Sequence, residues 1–84
     1  MNIYRHDFVC ICPNNGQAVG YHLEVRTQHL VMAEDIVAAG KAAAQLGMPY
    51  HENIADMFYD KFGGWQRLVA YHHGVEIETH RGRE

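Results

Sequence analysis

The sequence predicts a two-layer α+β sandwich in which a four-stranded antiparallel sheet, with element order ββααββ, carries two helices on one face. Three observations predict this fold: a hairpin signal near each end of the chain, a helical pattern across the middle, and a length suited to one core. The chain has 84 residues, of which 48% are hydrophobic and 20% are charged. This composition is typical of a globular protein, so we expect a single domain over residues 1–84 with a loose tail at residues 80–84.

The first hairpin signal lies in residues 6–25, HDFVCICPNNGQAVGYHLEV. Asn15 and Gly16 separate two runs of alternating apolar residues, and such a pair favours a two-residue type I′ turn. The register that follows pairs Asn14 with Gln17, Cys12 with Val19, Cys10 with Tyr21, and Phe8 with Leu23. Because side chains alternate along a strand, one face is apolar and is predicted to lie on the core. Its members are Phe8, Cys10, Cys12, Val19, Tyr21, Leu23 and Val25.

Both cysteines, Cys10 and Cys12, lie on this predicted core face. A structural zinc site needs four ligands, commonly from two C-x-x-C-like pairs, and the chain has only two cysteines. Free cysteine is among the most buried residue types, so we predict core packing and no cofactor. The alternative is a metal-responsive module in which His72 completes a site with the two thiols.

The helical middle follows the first hairpin. Residues 33–47, AEDIVAAGKAAAQLG, are rich in alanine, begin with two acids and end at a glycine, which predicts the first helix. Its predicted buried stripe is Ile36, Ala39, Gly40, Ala43 and Leu46. A second helix is predicted from about Tyr50 to Phe62, and Gly63 and Gly64 end it. Its predicted buried stripe is Ile54, Met57, Phe58 and Phe62.

The second hairpin signal lies in residues 65–80, WQRLVAYHHGVEIETH, where Trp65 opens the third strand. A turn at His73 and Gly74 pairs His72 with Val75, Ala70 with Ile77, and Leu68 with Thr79. The predicted core face is Leu68, Ala70, His72, Val75 and Ile77. The predicted outer face is Arg67, Val69, Tyr71, Glu76 and Glu78.

The charge distribution bears on the kind of partner. The net charge is −3, and residues 32–62 carry all of the excess, because they hold five acids against two lysines. Nucleic acid is not an expected direct ligand, since phosphate binding needs a basic surface. A protein partner with a basic surface is more compatible with this pattern.

The chain shows no pattern of export or membrane insertion. No apolar run reaches the ~18 residues that a membrane span needs, and the first residues lack the basic and apolar segments of a signal peptide. Two cysteines in such a chain are typical of a reducing compartment. We therefore expect a cytoplasmic protein without membrane contact.

The second helix carries Glu52, Asp56 and Asp60 at successive i, i+4 positions. Like charges at this spacing destabilise a helix by a few tenths of a kcal/mol, so the row indicates a surface that meets basic groups of a partner. Glu34 and Asp35 would extend it. The alternative is a solvated helix face without a binding role.

The uncovered face of the predicted sheet is a second candidate interface. It combines an apolar centre with charged neighbours, as protein interfaces do. Its central residues are Val9, Ile11, His22, Val69 and Tyr71. This face would serve a foreign partner or a homodimer, and the alternative function is that of a small homodimeric regulatory or accessory protein. Single exposed apolar residues on a solvated sheet are also ordinary.

The sequence holds no catalytic signature. It has seven histidines, but they are scattered over different elements without the spacing of a metal site. No nucleophile elbow, phosphate-binding loop or dinucleotide fingerprint is present. We therefore expect a protein that is not an enzyme.

In its architecture the chain resembles the small anti-CRISPR proteins by which phages inhibit host defence. The resemblance rests on a small single domain in which the hairpin VCICPNNGQAVGYHLEV leads into the helix AEDIVAAGKAAAQLG, followed by an acidic helix and closing strands. It implies a phage protein that binds a CRISPR effector complex in the host cytoplasm and blocks target-DNA binding or nuclease recruitment. The acidic row would then occupy a surface that normally binds phosphate. The small net charge departs from the strongly acidic DNA mimics of this group.

Overall fold

The structure, a computed structural model, describes residues 1–12, 15–45 and 50–83. Its elements are β1 (Asn2–Ile11), β2 (Ala18–Thr27), α1 (Ala33–Gln45), α2 (His51–Phe62), β3 (Trp65–His72) and β4 (Val75–Gly82). The strands form one antiparallel sheet in the order β1-β2-β3-β4. Both helices pack on one face, so the predicted α+β architecture is confirmed. Among the described residues, neither helix has the length and apolar character needed to cross a membrane.

The first hairpin is paired two residues away from the predicted register. Cys10 lies opposite Val19 and Phe8 opposite Tyr21. The N–H of Cys12 donates to the carbonyl of Gln17 at 2.8 Å, so four residues, rather than Asn15 and Gly16 alone, connect the paired positions. The predicted partner of Gln17, Asn14, lies outside the described residues. Because the shift is an even number of residues, every side chain stays on its predicted face.

The side of the sheet that faces the helices, called here the covered face, forms the core. Cys10 is 6% exposed and Cys12 is half-buried, and both are free thiols, as the sequence predicts. Burial raises the pKa of the Cys10 thiol. The small residues of α1 allow close packing, since a Cβ added at Gly40 would lie 3.4 Å from Phe8. Ile36, Ala39 and Ala43 of the predicted α1 stripe are also buried, and Leu46 lies outside the described residues.

The end of α2 is tied to the start of β3. The Gln66 side chain is buried, and its Nε2 donates to the carbonyls of Phe58 at 3.0 Å and Gly63 at 2.9 Å. Gly64 has a φ of +69°, and a Cβ there would lie 2.3 Å from the carbonyl oxygen of Arg26. Glycine is therefore needed at this position, both for its backbone conformation and for the close approach of β2.

The second hairpin has the predicted register, with His72 opposite Val75, Ala70 opposite Ile77 and Leu68 opposite Thr79. The predicted core position of Val75 is wrong, because this residue begins an edge strand beside the turn and is 60% exposed. The predicted loose tail is also wrong for residues 80–82. These residues complete β4, where His80 lies opposite Arg67 and Gly82 opposite Trp65.

Candidate functional site

The face of the sheet opposite the helices, called here the open face, divides into two halves. The half next to the two hairpin turns is apolar, and the other half is charged. The apolar half is formed by Val9, Ile11, Gly20, Val69 and Tyr71, and the exposed Glu76 of β4 lies beside it, opposite Tyr71. The charged half consists of Arg5, Glu24, Arg26, Arg67, Glu78 and His80.

Glu24 is the centre of the charged half and is only 4% exposed, although no helix covers it. Its two carboxylate oxygens accept hydrogen bonds from Arg5 Nε at 3.1 Å and from Arg26 Nε at 2.8 Å. Burial alone would raise the pKa of Glu24, but the hydrogen bonds and positive charges of Arg26 and Arg5 outweigh it and lower the pKa. Glu24 is therefore a buried carboxylate held ionised by two arginines.

The remaining charges of this half are also paired with one another. Glu78 accepts a hydrogen bond from His80 Nε2 at 2.7 Å, which lowers the pKa of Glu78. Its other oxygen lies 3.2 Å from Arg67 Nε, a contact that is an ion pair with poor hydrogen-bond geometry, since that N–H has no hydrogen-bonding partner in the described part of the chain. The charged side chains of this half are thus paired with one another, but its three arginines and two glutamates leave one excess positive charge.

The apolar half is the part of the open face that exposes apolar side chains to water. Tyr71 is 62% exposed, and Val9 and Ile11 are each 55% exposed. Between Val9 and Tyr71 lies a depression of about 410 Å³. A Cβ added at Gly20, which lines the depression, would meet nothing within 4 Å. Packing therefore does not require glycine here, and a glycine inside a strand commonly marks a place where another chain or ligand approaches closely.

The predicted members of the sheet-face interface do share this one face. His22 lies at the boundary between the halves, where its Nδ1 contacts a carboxylate oxygen of Asp7. Val69 was expected to be exposed on this face. Its neighbours bury it, however, so that it is only 9% exposed and lines the depression.

The structure places the acidic row on the exposed side of α2, where Glu52, Asp56 and Asp60 all face solvent. The row is less negative than its sequence indicates, because Arg81 of β4 donates from Nε to Asp56 at 2.9 Å. Glu34 and Asp35 occupy the first turn of α1. They do not simply extend the row, since Asp35 shares a groove with Lys61 at the end of α2.

The contact of a buried histidine, His51, with the half-buried His72 was not found from the sequence, which predicted only His72 on the core face. His51 is 5% exposed, and its Nε2–H donates to the Leu68 carbonyl at 3.1 Å. Its Nδ1 is buried without a hydrogen-bonding partner among the described residues. Burial lowers the pKa of His51, and the adjacent His72, 6.0 Å away between ring centres, adds to the effect. The missed signal was that His51 precedes Ile54 by three residues and therefore belongs to the buried stripe of α2.

His72 in turn contacts Tyr21, whose hydroxyl lies 3.3 Å from His72 Nε2. Burial, with the nearby Cys10 and Cys12 thiols, raises the pKa of Tyr21 to about 12. This geometry gives the metal-module alternative no support. Within residues 1–12, 15–45 and 50–83, no group of three or more His, Cys, Asp or Glu side chains is placed to hold an ion.

The chain matches no protein-family model, and no curated protein or solved structure is significantly similar to it.

Proposed function

We propose that this protein is a non-enzymatic binding protein that recognises another protein through the apolar half of the open face. The observation that carries the proposal is the depression between Val9 and Tyr71, with Gly20 along its base. A Val or Ile at position 20 would suit a strand better, so the glycine lowers stability and provides space instead.

The chemistry of the two halves supports binding by the apolar half. Exposed tyrosines with an apolar pocket beside them are typical energetic centres of protein interfaces. Tyr71 projects beside the depression, and the His22–Asp7 pair forms part of its rim. The charged half, whose side chains already form ion pairs with one another, is suited to fixing orientation at the periphery.

The resemblance to anti-CRISPR proteins makes a CRISPR effector complex the first partner to test. In this proposal the protein acts in the cytoplasm as an inhibitor, by occupying a surface that the complex needs for target-DNA binding or nuclease recruitment. The exposed Glu52 and Asp60 would contribute a second, weaker contact with basic groups of the partner.

Filling the depression tests the role of the open face. In Gly20→Val the new side chain enters open space, so we expect the free energy of unfolding to rise by about 0.5–1 kcal/mol. The same change should weaken partner binding and inhibition of DNA binding by at least tenfold, measured with purified effector complex. Val75→Asp is the matched control, because Val75 is comparably exposed but lies outside the open face. Unchanged inhibition by Gly20→Val would contradict the proposed site.

The acidic row is tested with a double variant that spares the intramolecular ion pair. Asp56→Lys would place a lysine beside Arg81, so its effect would mix folding with binding. Glu52→Lys with Asp60→Lys avoids this problem. We expect a loss of partner affinity that is largest at low salt, because exposed charges are screened. Equal affinity of this variant and the original chain at low salt would remove the row from the interface.

A further inference from the structure

The outer edge of β1 is an unprotected strand edge. β1 is the first strand in the sheet order, and no described strand pairs with its outer side. Asn2–Ile11 is ten residues long and pairs with β2 one residue to one, without a bulge. It contains neither proline nor lysine, the residues that most often protect such edges. An edge of this kind is a template for another strand.

The direction of the free backbone groups follows from the hairpin. The N–H of Cys12 donates to the carbonyl of Gln17, the residue before β2, and in an antiparallel ladder alternate residues direct both backbone groups to the same neighbour. The even-numbered residues of β1 therefore bond to β2. The odd-numbered residues direct their N–H and carbonyl groups outward, and their side chains lie on the open face: Ile3, Arg5, Asp7, Val9 and Ile11.

These outward-directed residues are self-complementary about His6. An apolar and a basic residue, Ile3 and Arg5, precede it, and an acidic and an apolar residue, Asp7 and Val9, follow it. In an antiparallel pair of two β1 strands centred on His6, Ile3 of each copy lies opposite Val9 of the other. Arg5 of each copy lies opposite Asp7 of the other, so charges of opposite sign meet twice.

Neighbouring registers lack this match. Only registers that pair odd residues with odd residues use the outward-directed backbone groups. A centre at residue 5 places Arg5 opposite Arg5 of the other copy. A centre at residue 7 places Asp7 opposite Asp7 of the other copy. Like charges directly opposite are destabilising, so a single register is favoured.

From this pattern we infer that two copies of the chain pair through their β1 edges, antiparallel and centred on His6, into one continuous eight-stranded sheet. The occupant of the edge is thus a second copy of this chain. The side chains of Arg5 and Asp7 remain 59% and 80% exposed despite their contacts with Glu24 and His22, so both can also reach across the axis. On the covered face, Tyr4 of one copy meets Phe8 of the other. The inference does not rest on the open-face binding function, although Asp7 and Val9 belong to both surfaces.

Removing one outward-directed N–H group of β1 tests whether two copies pair through this edge. Proline is tolerated on an edge strand where the lost N–H faces outward, so Val9→Pro should fold and yet break the pairing. We expect a molar mass of twice 9.6 kDa by light scattering for the original chain and 9.6 kDa for Val9→Pro, with unchanged circular dichroism. Glu76→Pro is the matched control, because the closing His72–Val75 pair directs the backbone of Glu76 outward from the β4 edge. It should remain dimeric.

A cysteine at the symmetry axis tests the register. With the native thiols replaced by Cys10→Ala and Cys12→Ser, His6→Cys would face its own copy in a non-hydrogen-bonded pair. Its Cα separation would be about 4.5 Å, within the range of a disulfide. We expect rapid cross-linking under mild oxidation, and none for Tyr4→Cys in the same background. A monomeric original chain would overturn the inference, as would a dimer that survives Val9→Pro or that only Tyr71→Asp dissociates.

Discussion

Both faces of the sheet bury titratable side chains, but one face favours the ionised form and the other the neutral form, as Glu24 and His51 show. Glu24 on the open face is surrounded by arginines, whose hydrogen bonds lower its pKa and keep it ionised. His51 on the covered face meets the Leu68 carbonyl and the His72 ring, and burial lowers its pKa, so it is kept neutral. Burial thus disfavours charge on both faces, but only the open face supplies compensating charges. The covered face is stabilised by packing and the open face by ion pairs.

The largest expected effect comes from truncating an aromatic residue on each face. Phe58 is fully buried on the covered face, so Phe58→Ala should lower the free energy of unfolding by about 3–5 kcal/mol. Tyr71→Ala on the open face should change it by only about 0.5 kcal/mol. Urea denaturation followed by circular dichroism measures both values. Similar losses for the two variants would mean that the open face is packed against something in the isolated protein.

An intermediate effect is expected from Glu24→Gln, which keeps the shape of the side chain and removes its charge. The variant should be less stable by about 1–3 kcal/mol at pH 7, because hydrogen bonds from Arg5 and Arg26 lose their charged acceptor. The pKa of Glu24 is lowered from 4.5 in the folded state, so its contribution is complete above pH 4.5 and is lost as the pH falls further. The difference between the original chain and Glu24→Gln should therefore shrink on acidification below pH 4.5. A difference that is independent of pH would contradict this account.

The smallest effect is the pH dependence due to His51. Because its folded pKa lies below the ordinary 6.5, the unfolded chain binds more protons as the pH falls through 6.5. Stability is then complete above that pH and falls towards the folded pKa, with a slope of at most about 1.4 kcal/mol per pH unit. His72 and Arg81 oppose protonation of His51, and Glu52 favours it.

His51→Gln, which can still donate to the Leu68 carbonyl, should flatten this slope. Thermal melts between pH 5 and 8 provide the measurement. His73→Asn is the control, because His73 lies exposed in the turn with a positive φ that asparagine tolerates. An equal change of slope in both variants would show that the effect does not come from burial of His51.

The fold class, the helices and the faces of the strands could all be predicted from the sequence, because hydrophobic periodicity determines them. The register of the first hairpin could not be predicted from its turn residues alone. Cross-strand charge would have identified the correct register: the predicted one places Asp7 opposite Glu24, whereas the observed one places Arg5 there. The error in register left every side chain on its correct face, but it did not show that Glu24 lies buried beside arginines.

Other features depended on spatial neighbours that are distant in sequence. The pairing of Asp56 with Arg81, which weakens the acidic row, joins α2 to β4. The depression on the open face needs β1, β2 and β3 side by side, so no local pattern indicates it. The membership of residues 80–82 in β4 follows from their pairing with the first residues of β3.

The pairing of β2 with β3 has a consequence for how the chain folds. Each hairpin joins residues that are near in sequence, but Arg26 meets Trp65 only after both helices have been traversed. The entropic cost of closing that long loop is therefore incurred when β2 pairs with β3. We expect this pairing step to limit the folding rate. Two-stranded hairpins are marginally stable in water by themselves. When β2 separates from β3, neither hairpin is therefore expected to stay folded. We expect the native state to be lost in a single cooperative transition.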